Sequence, residues 1–144
     1  MINQIFINLA VKDLKKSMEF FSKLGFKFNP QFTNENGACM IIKNDVIFSM
    51  LITEKFFKTF IPNKNICDSK KDKEVLNALS VNSRKDVDDM INKVINAGGK
   101  EFREAQDYGW MYARAFEDLD NHVWEVFYGD ESKMPEEMKN KGVK

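Results

Sequence analysis

The sequence predicts an α+β fold of two βαβββ modules whose sheets curve around a cleft. Three observations predict it. The order strand, helix, strand, strand, strand occurs twice. A polar, Lys-rich stretch at 61–74, with Pro62 near its start, separates the two runs. The runs also match locally: Asn8-Leu9-Ala10-Val11 answers Ala78-Leu79-Ser80-Val81, and Asn44-Asp45-Val46-Ile47-Phe48-Ser49 answers Asp120-Asn121-His122-Val123-Trp124-Glu125. A repeat of this size implies two similar units, each too small to bury its own sheet face. The expected layout is one domain: a first module over about 1–60, a linker over 61–74, a second module over 75–129 and a tail over 130–144.

Each element has a local reason. Residues 4–11 (QIFINLAV) form a strand bounded by polar residues. Asp13 caps the following helix, whose apolar positions Leu14, Met18, Phe21 and Leu24 recur at helical spacing. Gly25 stops it. Phe26 to Phe32, broken by Pro30, is expected as a bent edge strand. Ala38–Ile42 and Val46–Ile52 pair across the turn at Asn44-Asp45. Thr53–Phe60 is expected as a short helix, and 61–74 as a linker or a loop over a site. Val75–Asn82 is the next strand. Ser83 caps a helix that carries Val87, Met90, Ile91 and Val94 on one face and ends at Gly98-Gly99. Strands follow at 100–103, 109–116 and 122–128, and Pro135 is placed to open a terminal turn.

The bulk numbers narrow the function classes. A chain of 144 residues suits one domain with a real core. Lys plus Arg total 22 and Asp plus Glu total 22, which argues against a nucleic-acid module. No apolar run approaches a membrane span, and the N-terminus lacks the marks of a signal peptide. The two cysteines, Cys39 and Cys67, have no CxxC spacing, so neither a disulfide framework nor a cysteine zinc site is expected. The expected compartment is the reducing cytoplasm. Phosphate-loop and GxSxG patterns are absent, and nucleophilic catalysis by Ser or Cys has no support.

The acid in the closing stretch, Asp118 to Tyr128 (DLDNHVWEVFY), is the strongest candidate for chemistry. Glu125 shares one strand face with Val123 and Phe127. A carboxylate there needs a partner, water or a metal. It is either a lone general acid or base with a raised pKa, or a group satisfied by a neighbour such as Asn8, Arg103 or Arg114. Asn8 shares a face with Phe6 and is a ligand-bonding candidate; its alternative is to satisfy backbone near the strand end. His122, the only histidine, is expected in a turn role. Tyr108 and Trp110 are candidates to wall a cleft, against plain packing. Met111 shares its face with Ala113 and Ala115, and which face looks inward is open. Phe56, Phe57 and Phe60 suit a core or dimer contact. Lys64 to Lys73 is a solvated loop or a lid that attracts anions.

Two signatures carry a family resemblance: Phe6-Ile-Asn-Leu-Ala-Val-Lys-Asp-Leu-Lys-Lys-Ser-Met-Glu-Phe-Phe-Ser-Lys-Leu-Gly-Phe26, and Phe116-Glu-Asp-Leu-Asp-Asn-His-Val-Trp-Glu125. Over nearly its whole length the chain resembles the vicinal oxygen chelate superfamily, the glyoxalase/bleomycin-resistance/dioxygenase family. The segments FNPQFTNENGACMI, MLITEKFFKTF and AQDYGWMYARAFEDLDNHVWEVF are similar to a bacterial branch labelled predicted lactoylglutathione lyase. The resemblance implies four converging side chains on a divalent metal in metal-using members. Their positions match Phe6, Ser49 (or Met50 if the register slips by one), Leu76 and Glu125, so Glu125 alone keeps a family-type ligand. No cofactor is therefore expected beyond a weak or substrate-assisted metal. The resemblance also implies a homodimer.

Three functions follow as expectations. One is a small-molecule enzyme, a lyase, isomerase or dioxygenase-like member in which Glu125 moves a proton and Asn8 positions the substrate. Another is a metal-independent protein that sequesters a small molecule or drug in a cleft containing Phe6, Asn8, Ser49, Met50, Leu76, Tyr108, Trp110 and Met111. The third is a dimeric domain without a ligand.

Overall fold

The computed structural model describes residues 1–142 as two compact units. One holds Met1–Glu74 together with Asp118–His122, and the other holds Val75–Glu117 with the chain from Val123 onward.

The N-terminal unit contains β1 (Ile5–Val11), α1 (Leu14–Lys23), β2 (Lys27–Asn29), β3 (Gly37–Lys43), β4 (Ile47–Thr53) and α2 (Glu54–Phe57). Its sheet order is β1-β4-β3-β2, with β1 parallel to β4 and the other pairs antiparallel. The Asp13 side chain accepts from the Lys16 N–H and starts α1, while Gly25 ends it at φ 103°, a conformation costly for any residue with a Cβ. Phe20, Phe21 and Leu24 are buried as α1 packs on β3 and β4. Beneath it Val11, Ala38, Met40 and Leu51 are sealed from solvent.

The bent strand expected over Phe26–Phe32 is shorter. It stops at Asn29, and a 3₁₀ turn takes over at Pro30–Phe32. Pro30 has no N–H for the ladder, and the Asn29 side chain caps the turn by accepting from Gln31 N–H. The short helix after β4 forms as α2 plus a 3₁₀ turn at Lys58–Phe60. Residues 61–74 contain no helix or strand. They are nonetheless tied down: the Lys73 ammonium donates to the carbonyls of Ser69 and of Asn121, the latter at 2.6 Å.

The C-terminal unit repeats the plan with β5 (Leu76–Ser80), α3 (Arg84–Asn96), β6 (Lys100–Asp107), β7 (Met111–Glu117) and β8 (Val123–Gly129). The sheet order is β5-β8-β7-β6, again with first and last strands parallel. Ser83 caps α3, and Val87, Ile91 and Val94 are fully buried as α3 packs on β6, β7 and β8. Trp124 and Phe116 stack at 6.5 Å in that core. β6 runs four residues further than expected, to Asp107. Its polar sequence hides a ladder with β7 that two register shifts interrupt. The tail forms a 3₁₀ turn at Glu131–Lys133 and α4 (Glu136–Lys139), with Pro135 at its N-cap. Among the described residues no helix is long and apolar enough to cross a membrane.

A polar clasp joins α3 to β7. Tyr112 OH and Arg114 Nη1 both donate to Asp88 Oδ1, at 2.7 and 2.8 Å, and Arg114 forks onto both Glu101 oxygens at 2.9 Å. The Tyr112 hydroxyl first, then Arg114, holds the Asp88 carboxyl below its ordinary value of 3.8. A depressed folded-state pKa gives stability that is present above the unfolded value and is lost as pH falls through the folded value. Asp88 is nearly half exposed, so the contribution is about 1 kcal/mol or less. Asp88→Asn is expected to lower urea stability at pH 7 by that amount. The gap to wild type should narrow in the same titration as pH falls below 3.8.

Candidate functional site

Strand register decides which side chains look away from the helices. In the N-terminal unit Phe6 lies opposite Phe48, Asn8 opposite Met50 and Ala10 opposite Ile52. Parallel partners in register point the same way, and this face is opposite to the one α1 covers. Phe6 and Phe48 stack with centroids 4.8 Å apart and planes 13° apart. Phe48 is buried, whereas Phe6 keeps 45 % of its surface open to solvent. The pair forms one wall of a cavity of about 330 Å³. Phe32, Ile41 and Cys39 add further apolar wall. Burial pushes the Cys39 thiol up, so it sits there as a neutral, soft group. Polar lining comes from Gln4, Asn29, Asn44 and Asp45, and Asp45 brings the one carboxylate among the lining residues.

Ser49 does not belong to this face, which corrects its place in the expected ligand cleft. It is fully buried beneath α1, and its hydroxyl donates to the Ile7 carbonyl at 2.9 Å. Met50 takes the position instead, in the row Asn8, Met50, Cys39. The cause is a slip between turn and strand. Asp45 and Asn121 are equivalent turn residues, both left-handed at φ 63° and 64°. Within the strands, however, Asn8–Met50 in one unit matches Ala78–Glu125 in the other, one residue out of step with the turns. A one-residue shift moves a side chain to the opposite face.

In the C-terminal unit Leu76, Ala78, Met111, Ala113, Ala115 and Glu125 share the face opposite α3, while Tyr112 and Arg114 turn toward the helix. That answers which side of the 109–116 strand carries Met111. Glu125 does not sit in a purely apolar setting. Arg103 Nη2 donates to Glu125 Oε1 at 3.0 Å and to Gln106 Oε1 at 3.3 Å. The row Arg103, Ala115, Glu125, Ala78 explains the reach, because the guanidinium has only the Ala115 methyl to pass. Of the three partners weighed for Glu125, Arg103 is the one found. Tyr108 is 59 % exposed at the β6–β7 turn. Gly109, at φ 80°, makes that turn tight, and Trp110 lies against Gly129.

His122 is a turn residue, as its position suggested. Its Nε2 lies 2.7 Å from the Ala10 carbonyl, which can only accept, so Nε2 carries the proton. Nδ1 faces the Ser69 hydroxyl at 3.5 Å. The turn is folded by the Asp118 carboxylate, which accepts from the N–H groups of Asp120 and His122. Phe56 and Phe60 meet edge to face at 5.1 Å and remain exposed.

Comparison with known proteins places this geometry. A model described as bleomycin resistance protein-like N-terminal matches residues 4–42. No curated protein sequence matches the chain. The solved structure of hypothetical protein SA1046 from S. aureus is 32 % identical, covers 89 % of this chain and 95 % of its own, and superposes with a TM-score of 0.74. A glyoxalase/bleomycin resistance protein/dioxygenase family enzyme from Burkholderia phytofirmans PsJN has the same fold at 12 % identity, with 86 % and 96 % coverage and a TM-score of 0.72. So does the genomically encoded fosfomycin resistance protein FosX from Listeria monocytogenes, at 20 % identity, 98 % and 100 % coverage and a TM-score of 0.64.

The chain shares the fold of the glyoxalase/bleomycin-resistance/dioxygenase superfamily, and its first 42 residues include a match to a bleomycin resistance protein-like model. Its donors do not fit the four-ligand metal centre of that superfamily's metal-using members. Phe6 and Leu76 carry hydrocarbon, Met50 a thioether, and Glu125 is engaged by Arg103. Among the described residues no three His, Cys, Asp or Glu side chains gather as a metal would need.

Sequence reading missed most of the N-terminal cavity. Gln4, Phe32, Cys39, Ile41 and Phe48 were not singled out. The signal was present in the period-two patterns Cys39, Ile41 and Phe48, Met50, once the strand face was known. The Arg103–Glu125 pair is about a quarter exposed, so a double-mutant cycle in urea with Arg103→Met and Glu125→Gln should give a coupling of about 0.5–1 kcal/mol that falls as salt is added. A coupling of zero would mean the ion pair adds nothing to stability.

Proposed function

We propose that the protein binds a small, planar, largely apolar molecule against the Phe6–Phe48 wall of the N-terminal unit, without a resident metal ion. The observation that carries this is the half-open Phe6 ring, stacked on Phe48 at a cavity of about 330 Å³. The resemblance leads one to expect a metal-binding histidine at that position. A phenyl face recognises a flat ligand by stacking, which adds about 0.5–1.5 kcal/mol beyond the area buried. The amides of Gln4, Asn29 and Asn44 supply the few polar contacts such pockets use to orient a ligand. The name of the similar FosX, a fosfomycin resistance protein, is in keeping with a role directed at a small foreign molecule.

A lyase or isomerase reaction at Glu125 is the second reading. It is favoured by the methyl-sized neighbours Ala78 and Ala115 beside the carboxylate, which leave room for a substrate. In that reading Glu125 accepts or returns the proton after parting from Arg103.

The test is a thermal-shift and calorimetric screen of small aromatic and heteroaromatic compounds in the presence of a chelator. Hits should bind one per chain. Phe6→Ala should weaken them about tenfold, and Glu125→Gln should leave affinity within about twofold. Hits indifferent to Phe6→Ala would remove the proposed site. Turnover of a carbonyl substrate that Glu125→Gln abolishes would move the function to the C-terminal unit.

A further inference from the structure

We propose that the N-terminal unit carries a second site, for a small, multiply charged oxyanion such as a phosphate ester, in the cavity lined by residues 65–70 and by the turn before β8. The cavity holds about 590 Å³. Lys12, Lys55, Lys58 and Lys70 reach it from three separate stretches of chain: the end of β1, the α2 region and the loop. None of these four ammonium groups forms an ion pair within the described residues. Like charges gathered around one space repel, and a bound anion relieves that repulsion.

The acids in the lining offset most of this charge but leave the lining positive. They number three, Glu54, Asp68 and Asp120, against four lysines. Two are already engaged in holding backbone. Asp120 accepts from Lys12 N–H at 2.8 Å and from Ser17 OH at 3.1 Å, one on each oxygen. Asp68 accepts from Lys70 N–H at 3.1 Å. Neutral hydrogen-bonding groups complete the lining: the Ser69 hydroxyl and the side chains of Asn65 and Asn121. Lysine binds phosphate as a mobile point charge, so four of them fit an anion whose charge is spread over several oxygens.

The wall is built in advance. Lys73, which is not part of the lining, donates to Ser69 and Asn121 carbonyls and clasps the loop to the turn. His122 fixes the same turn to β1 through Ala10. The chemistry is opposite to that of the Phe6 cavity, so the two sites select different molecules. The four lysines are largely exposed, which makes the attraction strongly dependent on salt.

The experiment is calorimetric titration of the full chain with sodium phosphate, a sugar phosphate and citrate, each against sodium chloride of matched ionic strength. Saturable one-to-one binding is expected in at least one oxyanion arm and not in the chloride arm. Phosphate or phosphate ester alone assigns a phosphorylated ligand, and citrate alone assigns a polycarboxylate. Lys55→Gln/Lys58→Gln should weaken binding about tenfold, and so should Lys70→Gln combined with Lys12→Gln. Lys85→Gln, on α3, should change nothing, and Phe6→Ala should leave the oxyanion response intact. No saturable binding in any oxyanion arm, or equal binding by wild type and both lysine pairs, would overturn the proposal.

Discussion

Everything chemical in this protein depends on the parallel pairing of the first and last strand of each module. That pairing closes the βαβββ unit and sets its register. Register then decides which residues lie under a helix and which face away. Phe6 opposite Phe48 and Ala78 opposite Glu125 are consequences of it. The helices contribute by burial: once α1 covers Val11, Met40 and Leu51, the alternate residues have no choice of side.

The two modules keep one backbone plan and have diverged in what they present. Asn8 and Met50 in the first answer Ala78 and Glu125 in the second. The first offers aromatic and aliphatic surface with neutral amides at a cavity. The second offers a carboxylate whose charge is met by Arg103 across a single alanine. At the superfamily's metal positions Phe6, Met50 and Leu76 offer no nitrogen or oxygen donor, and the one carboxylate, Glu125, is paired with Arg103. What these positions present is a ring stack in one module and an ion pair in the other.

Much of the fold was legible because its signals are local. Asp13 and Ser83 cap where expected, Gly25 and Gly98 stop the helices at positive φ, and the helical spacing of Val87, Ile91 and Val94 marks the buried stripe. The site was less legible because its signals are not local. Matching the turns at Asp45 and Asn121 put Ser49 in line with Glu125, yet the strands are one residue out of step with those turns. Arg103 is 22 residues from Glu125 and reaches it only through two register shifts in β6. The loop at 61–74 reads as a linker or as a loop over a site, and the Lys73 bond to the Asn121 carbonyl, far away in sequence, is what holds it against the turn before β8.

The central proposal is that this protein binds its ligand at the Phe6 face without a metal. Elemental analysis of the purified protein, paired with thermal melting in nickel, zinc, manganese and iron, tests it most directly. The account predicts no stoichiometric metal and no metal-dependent rise in melting temperature. One metal per chain, or a large rise that is lost in Glu125→Gln, would contradict it and align the chain with the metal-using proteins of this fold.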